Sequence, residues 1–470
     1  MTAAGPVRTV ADLDGRHAMV LGLARSGVAA CRFLTDAGAE VTAYDRRPIG
    51  ELAEAVSALE GRPVRLALGV DEPTAQRLIE RADLLVTSPS VSPRFPTTDP
   101  WLRTALAAAE ERGTELVSEV GLFLRLTRAR ILGVTGTKGK TTTASLVAAM
   151  LERAALPVAL GGNIGTPLIE RVTELGSDTW AVLELSELQL PTIDRGVDVA
   201  LYTNIAEDHL DRHGSVGAYR AVKARLAELS TAGRIVLNAD DPGCRDLGER
   251  LPAGAVAWYS LEVDAEPEPM ATADDGWISV AGERVLPVAD VPLPGRHMLA
   301  NVVGAALAAH VAGADGGSIG AAIRDFPGVA HRLETVAERG GVRWVNDSQA
   351  TIPDAAIAAL SAFDAPVVLI AGGRGKGLDY SRFAAAIAEH ARACVLIGET
   401  ADELAPLIGD RIPVRRADTM AEAVTLSASL AHPGDVVLLA PAAASFDMFT
   451  DYAARGDAFR QAVAGLGDAS

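Results

Sequence analysis

Residues 131–143 read ILGVTGTKGKTTT, and this stretch constrains the chain more than any other. A short apolar strand, Ile131 to Val134, runs into a glycine-rich turn that ends in Gly139-Lys140-Thr141. The following TTTASLVAAMLERA has the composition of a helix. The helix's first N–H groups have no partner inside the helix, and a glycine turn adds further peptide N–H groups to the same concave space. Such a cradle suits phosphate, with Lys140 reaching the β- and γ-phosphoryl oxygens and the Thr141 hydroxyl available to Mg²⁺. The longer form of this loop has glycine at position 134, where this chain has Val134; Gly133 comes one residue early. The loop is therefore the shorter TGTxGKT variant, running from Gly136 through Thr137, Lys138, Gly139, Lys140 and Thr141 to Thr142.

At 470 residues the chain predicts two or three domains. Apolar residues at 49% can fill large cores, while aromatic residues at 4% are too few for base-stacking surfaces. A formal net charge of -18 disfavours nonspecific nucleic acid and anionic membrane surfaces. Anionic substrates would therefore need local positive pockets. Cys31, Cys244 and Cys394 are odd in number and far apart, which fits a reducing cytosol and neither a disulfide framework nor a zinc motif. No apolar signal core or membrane-length apolar run is expected.

The chain divides into three α/β blocks, at 1–127, 128–327 and 328–470. In the first, HAMVLGL, AEVTAYD and DLLVTS alternate with helical stretches. Its turn Gly22-Leu23-Ala24-Arg25-Ser26-Gly27 is a degraded dinucleotide fingerprint with Ala24 in place of the second glycine. Asp45 ends the second strand, where a ribose-binding acid would sit; a doubly wound domain that binds no dinucleotide is the plainer reading. The second block continues from the phosphate loop through the buried runs WAVLELS, VALYTNI and RIVLN. Residues 265–291 read as a small excursion. The third block repeats the doubly wound pattern with APVVLIAGG, ACVLIGE and DVVLLAPA. The expected class is α/β: a Rossmann-like N-terminal domain, a central P-loop ATPase-type domain on a parallel sheet, and a Rossmann-like C-terminal domain.

Four further constellations carry candidate chemistry. Glu184 ends WAVLELS, where a carboxylate can hold Mg²⁺ beside phosphates or simply cap a helix. TNIAEDHLDRHGS places His209 and Arg212 in a dense polar cluster after a buried run, with Tyr219 and Lys223 one helical turn apart downstream. Asn301 opens an Ala-rich helix, as a cap, a packing residue or a contact to a base. His331-Arg332 and WVNDSQAT, with Asp347 and Ser348, open the third block as a site or as a helix N-cap.

The order of these motifs resembles the Mur ligases over nearly the whole chain. The resemblance rests on TGTKGKTT, GGNIGTP, LELSELQL, TNIAEDHLDRHGS with Lys223, GRHMLAN, AHRLE, NDSQAT and APAAASFDMF before ARGDAF. Within that family the pattern is similar to the cytoplasmic members that add D-glutamate to UDP-N-acetylmuramoyl-L-alanine in peptidoglycan precursor synthesis. It implies ATP on the phosphate loop, with Asn301, Arg332 and Asp347 holding the nucleotide. It implies two Mg²⁺ sites, one with Thr141 and Glu184, the other with His209 and a carbamate on Lys223. Lys140, Lys223, His209 and His331 would serve catalysis. Arg25, Ser26, Asp45, Arg46, Ser88, Asn163, Ser186 and Arg212 would meet the UDP substrate. Thr351, Lys376, Ser445, Phe446 and Tyr452 would receive the amino acid. A monomer is expected.

Four places depart from the family pattern. Lys138 replaces an asparagine, Met298 stands where an asparagine often helps to bind adenine, Glu187-Leu188 follows Ser186, and Gln349 replaces a lysine. The last bears on the amino-acid pocket, so L-glutamate or another amino acid stays open, as does a folylpolyglutamate synthase-like enzyme. A nicotinamide dehydrogenase built on the first block would leave the TGTKGKT loop unexplained.

Overall fold

The computed structural model describes residues 6–95, 97–206, 215–252, 254–262, 264–293, 295–375 and 377–466. Two compact units emerge, Met1–Phe326 and Pro327–Ser470. Among the described residues they carry three β-sheets.

The first sheet is parallel, with β1 (His17–Leu21), β2 (Glu40–Asp45), β3 (Val64–Leu68), β4 (Leu84–Thr87) and β5 (Glu115–Ser118) in the order β3-β2-β1-β4-β5. Strand side chains alternate between faces. Ala18 and Val20 pack with the helix Arg25–Asp36, while Met19 and Leu21 pack with Glu72–Arg81 and Pro100–Glu111. That is why these strands read as unbroken apolar runs.

The second sheet contains β6 (Arg130–Thr135), β7 (Val158–Gly162), β8 (Trp180–Glu184), β9 (Val199–Tyr202), β10 (Arg234–Asn238), β11 (Val256–Tyr259), β12 (Ala271–Asp274), β13 (Trp277–Val280) and β14 (Glu283–Pro287). Their order is β14-β13-β12-β11-β10-β9-β6-β8-β7. The expected excursion at 265–291 is corrected here. β12, β13 and β14 form an antiparallel meander that extends the sheet, with Asp275-Gly276 and Ala281-Gly282 supplying positive φ at its two turns. Short strands with exposed charges hide this pairing from sequence periodicity. β6 lies between β8 and β9, so the phosphate loop leaves the sheet's middle.

The third sheet belongs to the second unit: β15 (Glu334–Arg339), β16 (Val342–Asn346), β17 (Val367–Gly372), β18 (Ala391–Ile397), β19 (Val414–Arg416) and β20 (Val436–Leu439), ordered β15-β16-β20-β17-β18-β19. Val367, Leu369 and Ala371 face one helical layer, and Val368 and Ile370 the other. β15 pairs antiparallel with β16; the other pairings are parallel.

Candidate active site

The phosphate loop follows β6 as the sequence pattern requires. Gly139 takes φ 84° at the N-cap of the helix Lys140–Arg153, a conformation glycine adopts without strain. Lys140 Nζ donates to the carbonyls of Gly136 at 3.0 Å and Thr137 at 2.9 Å, folding the ammonium over the loop. The Thr141 hydroxyl donates to Glu184 Oε2 at 2.8 Å, and Asn163 Nδ2 donates to Glu184 Oε1 at 2.8 Å. Glu184 is buried at the end of β8. A buried carboxylate beside a hydroxyl and an amide is an oxygen-rich donor set, which suits a hard cation.

Lys223 also reaches the loop, fully buried on the helix Val216–Leu229. Its Nζ donates to Gly136 O at 2.9 Å and to Thr135 Oγ1 at 3.3 Å, and lies 5.5 Å from the Tyr219 ring centre. The expected shared face of Tyr219 and Lys223 is thus present. Tyr219 Oη also meets Thr137 Oγ1 at 3.0 Å. Asn301 does not cap its helix, which begins at Arg296 after an N-cap at Gly295. It sits on the second turn, so close to Gly139 that a Cβ there would lie 2.6 Å from its amide atoms.

A second cluster occupies the C-terminal ends of the first sheet. Gly22, Asp45, Arg46, Ser88 and Thr98 are among the residues lining a cleft of about 400 Å³, and Arg25 and Ser26 begin the adjoining helix. Asp45 is taken up by local partners. It accepts from Leu23 N at 2.9 Å, Arg47 N at 3.0 Å and Arg47 Nη2 at 2.8 Å. Burial pushes its pKa upward, but the Arg47 guanidinium and these N–H groups outweigh it and hold the carboxyl at about 2. Arg47 was not singled out in the sequence; its place two residues after a strand-end acid was the available signal. Asn163 and Ser186 group with the strand ends around the phosphate loop, where Ser186 N and Oγ both donate to Gln189 Oε1.

A third cluster lies in the second unit, at the ends of β16 and β20. His331 and Leu333 hold positive φ, 61° and 43°. Such backbone is strained in side-chain-bearing residues and persists where surroundings enforce it. Asn346 Nδ2 donates to His331 Nδ1 at 3.1 Å, so the neutral ring carries its proton on Nε2. Burial and then the Arg460 charge lower the His331 pKa, against the opposing pull of Asp457, Glu334 and Asp451. Gly456 is required here, since a Cβ would stand 2.1 Å from His331 Nδ1. Asp347 and Ser348 are not helix caps: the next helix, Pro353–Leu360, follows an N-cap at Ile352. Ser348 Oγ instead donates to Tyr452 O at 2.7 Å. Arg455, fully buried, ties the Ser348 loop to the Ala443-Ala444 carbonyls beside Ser445. Its burial was invisible in ARGDAF, where arginine reads as solvated. Ser445 is buried, Thr351 and Tyr452 are half-buried and Phe446 is exposed. His209, Arg212 and Lys376 lie outside the described residues.

Asp347 carries a pH prediction. Burial raises its pKa to about 6, although Leu333 N donates to Oδ1 at 3.0 Å and Arg332 opposes the shift. The folded protein keeps a proton that an ordinary carboxyl, with its usual value of 3.8, has released. Stability therefore falls as pH rises from about 4 through 6 and stays lowered above it. Asp347→Asn removes the ionisable group yet keeps an acceptor for Leu333. Its Tm should exceed the parent's at pH 7 and match it near pH 4. Equal melting at pH 7 would contradict the assignment.

A glycine loop at a helix head beside a buried Thr–Glu pair is the arrangement of an enzyme that binds nucleotide phosphates. Residues 134–309 match the Mur ligase middle domain, and residues 331–443 match the Mur ligase, glutamate ligase domain. The chain is 41% identical to the UDP-N-acetylmuramoylalanine–D-glutamate ligase of Solibacter usitatus, covering 97% of this chain and 99% of that one. It is 39% identical to the enzyme of the same name from Acidobacterium capsulatum, covering 96% and 97%. Among solved structures, the UDP-N-acetylmuramate–alanine ligase of Thermotoga maritima superposes with a TM-score of 0.57 at 16% identity, over 96% of this chain and 99% of that one. This protein belongs to the Mur ligase family. No described helix is long and apolar enough to cross a membrane.

Proposed function

We propose that this protein is a cytoplasmic, monomeric ligase that uses ATP to join D-glutamate to UDP-N-acetylmuramoyl-L-alanine. The observation that carries the reading is the 41% identity, over 97% of the chain, to a ligase of that name. The phosphate cradle at Gly136–Thr142 supports the ATP half of the reaction. We divide the chain functionally at 1–127, 128–327 and 328–470, for UDP substrate, ATP and amino acid.

The substrate carboxylate oxygen attacks the γ-phosphorus of ATP, an O–P bond forms and ADP leaves. The amino-acid nitrogen then attacks the acyl carbon of the resulting acyl phosphate. Phosphate leaves, the nitrogen loses a proton, and the amide bond remains. Lys140 turns from its own loop carbonyls to the transferring phosphoryl oxygens, where its charge offsets the negative charge that develops. Thr141 and Glu184 would hold one Mg²⁺, and His209 with a Lys223 carbamate a second. Mg²⁺ bound there supplies Lewis-acid neutralisation of phosphate charge. Asn301, Arg332 and Asp347 serve the nucleotide. Arg25, Ser26, Asp45, Arg46, Ser88, Asn163, Ser186 and Arg212 serve the UDP substrate, with the open N-terminus of the helix Arg25–Asp36 favouring its pyrophosphate. His331 orients the first substrate. Thr351, Lys376, Ser445, Phe446 and Tyr452 receive the amino acid.

The test is phosphate release with ATP, UDP-N-acetylmuramoyl-L-alanine and a panel of amino acids. D-glutamate should give a kcat/KM at least about tenfold above L-glutamate, a difference of ~1.4 kcal/mol in transition-state binding. Gln349 makes this comparison decisive, because a neutral side chain stands where related enzymes have a charge. Preference for L-glutamate would overturn the stereochemistry and leave the ligase reading in place.

A further inference from the structure

Asn204 follows β9 and makes an unusual use of its carboxamide. Its Oδ1 accepts from Lys138 N at 2.9 Å, and its Nδ2 donates to Lys138 O at 3.1 Å. One side chain therefore pairs with both backbone polar groups of one residue in the phosphate loop. The geometry also settles the amide orientation, since the reverse would oppose donor to donor and acceptor to acceptor. The Asn204 carbonyl takes a third group, Thr137 N, at 2.9 Å. Thr203 Oγ1 adds a bond to Lys138 O at 2.6 Å. The approach depends on Gly136, because a Cβ there would stand 1.9 Å from Thr203 Oγ1 and 3.1 Å from Asn204 O.

The Thr203–Ile205 segment is itself braced from behind. Asn238 Nδ2 donates to Thr203 O at 3.1 Å, Tyr259 Oη to the same oxygen at 3.2 Å, and Ile205 N donates to Asp241 Oδ1 at 3.0 Å. Behind these lie β10 and the helix Pro242–Gly248. The phosphate loop is thus tied to the segment after β9 by the Asn204 side chain, the Asn204 carbonyl and the Thr203 hydroxyl.

We propose that Asn204 is a positioning residue that presets the phosphate loop for nucleotide and divides its N–H groups into two sets. The Thr137 and Lys138 N–H groups face Asn204 and are withheld from phosphate. The helix's first turn, starting at Gly139-Lys140-Thr141, is left to bind the anion. The clamp also fixes the peptide leading into Gly139, whose left-handed conformation aims that turn. A loop held in its bound shape before ligand arrives loses less conformational freedom on binding. Asn204 itself touches neither substrate nor reacting atoms in this account, which rests on the ATP reading above.

The test pairs nucleotide affinity with local exchange. In nucleotide-free wild-type protein, the amides of Thr137 and Lys138 should be protected from hydrogen exchange. In Asn204→Ala the Lys138 amide should exchange at least about 100-fold faster, since it loses its acceptor, whereas Thr137 N keeps the backbone carbonyl of residue 204. The Kd for ADP, by calorimetry, should rise at least about tenfold, while the KM for the UDP-linked substrate moves less than about twofold. A residue that merely supports the fold would shift both constants together. The isosteric Asn204→Asp keeps the acceptor for Lys138 N but loses the donor to Lys138 O. It should retain protection at Lys138 and still weaken ADP binding, and it serves if the alanine variant does not fold. Wild-type ADP affinity in either folded variant, or unchanged exchange at Lys138 in Asn204→Ala, overturns the proposal. Wild-type protein that binds no adenine nucleotide would instead overturn the ATP reading.

Discussion

Replacing Lys140 by alanine is expected to lower turnover by about 10³-fold or more while the protein stays folded. The ammonium sits at the head of the helix and bonds to Gly136 O and Thr137 O, within reach of any phosphate in the cradle. These two bonds are local, and each contributes about 1 kcal/mol net. Their loss should shift the Tm by only a few degrees. The electrostatic loss during phosphoryl transfer is much larger, because charge accumulates there at the moment of reaction. Phosphate release and thermal melting, measured on the same sample, separate the two effects. Near-normal turnover in a folded Lys140→Ala protein would remove the ATP-site assignment.

Lys223 should be nearly as sensitive, for a different reason. Its side chain is fully buried, with Gly136 O and Thr135 Oγ1 as partners. If that ammonium only braces the loop, Lys223→Met should keep turnover and be no less stable, because an apolar chain of similar length avoids burying a charge. On the carbamate reading, the same variant loses a carboxylate needed for a cation and falls at least about 100-fold in kcat. Acetate or formate should then partly restore the smaller Lys223→Ala variant. A fully active Lys223→Met enzyme, or a high-resolution map with Mg²⁺ bound beside an unmodified lysine, would defeat this reading.

Sequence reasoning worked best where one short segment carries its own geometry. Ile131–Thr143 has to be strand, glycine turn and helix head, because apolar strand residues, positive-φ glycines and the Lys-Thr at the helix start are consecutive. Glu184 and the Tyr219–Lys223 face were legible for the same reason: a strand end and a helical turn are local rules. Local rules misled where a residue fits two roles. Asn301 resembles a cap in sequence, yet Gly295 takes that place and Asn301 packs against Gly139. Asp347 resembles a cap as well, yet it accepts from Leu333 N instead, and burial raises its pKa to about 6.

By itself the sequence determined the three α/β blocks, the phosphate cradle and the identity of the groups that could serve it. Apolar runs and glycine spacing act through the backbone of neighbouring residues, so they survive without knowledge of the fold. Only the tertiary structure decided which distant groups are already engaged and which remain to act. It brought Asn163 to Glu184, placed Gly456 against His331, and clamped Lys138 with Asn204, 66 residues away. Those contacts depend on strand order, and strand order follows from how whole helices and strands bury their apolar faces together. No spacing within a single segment records that choice.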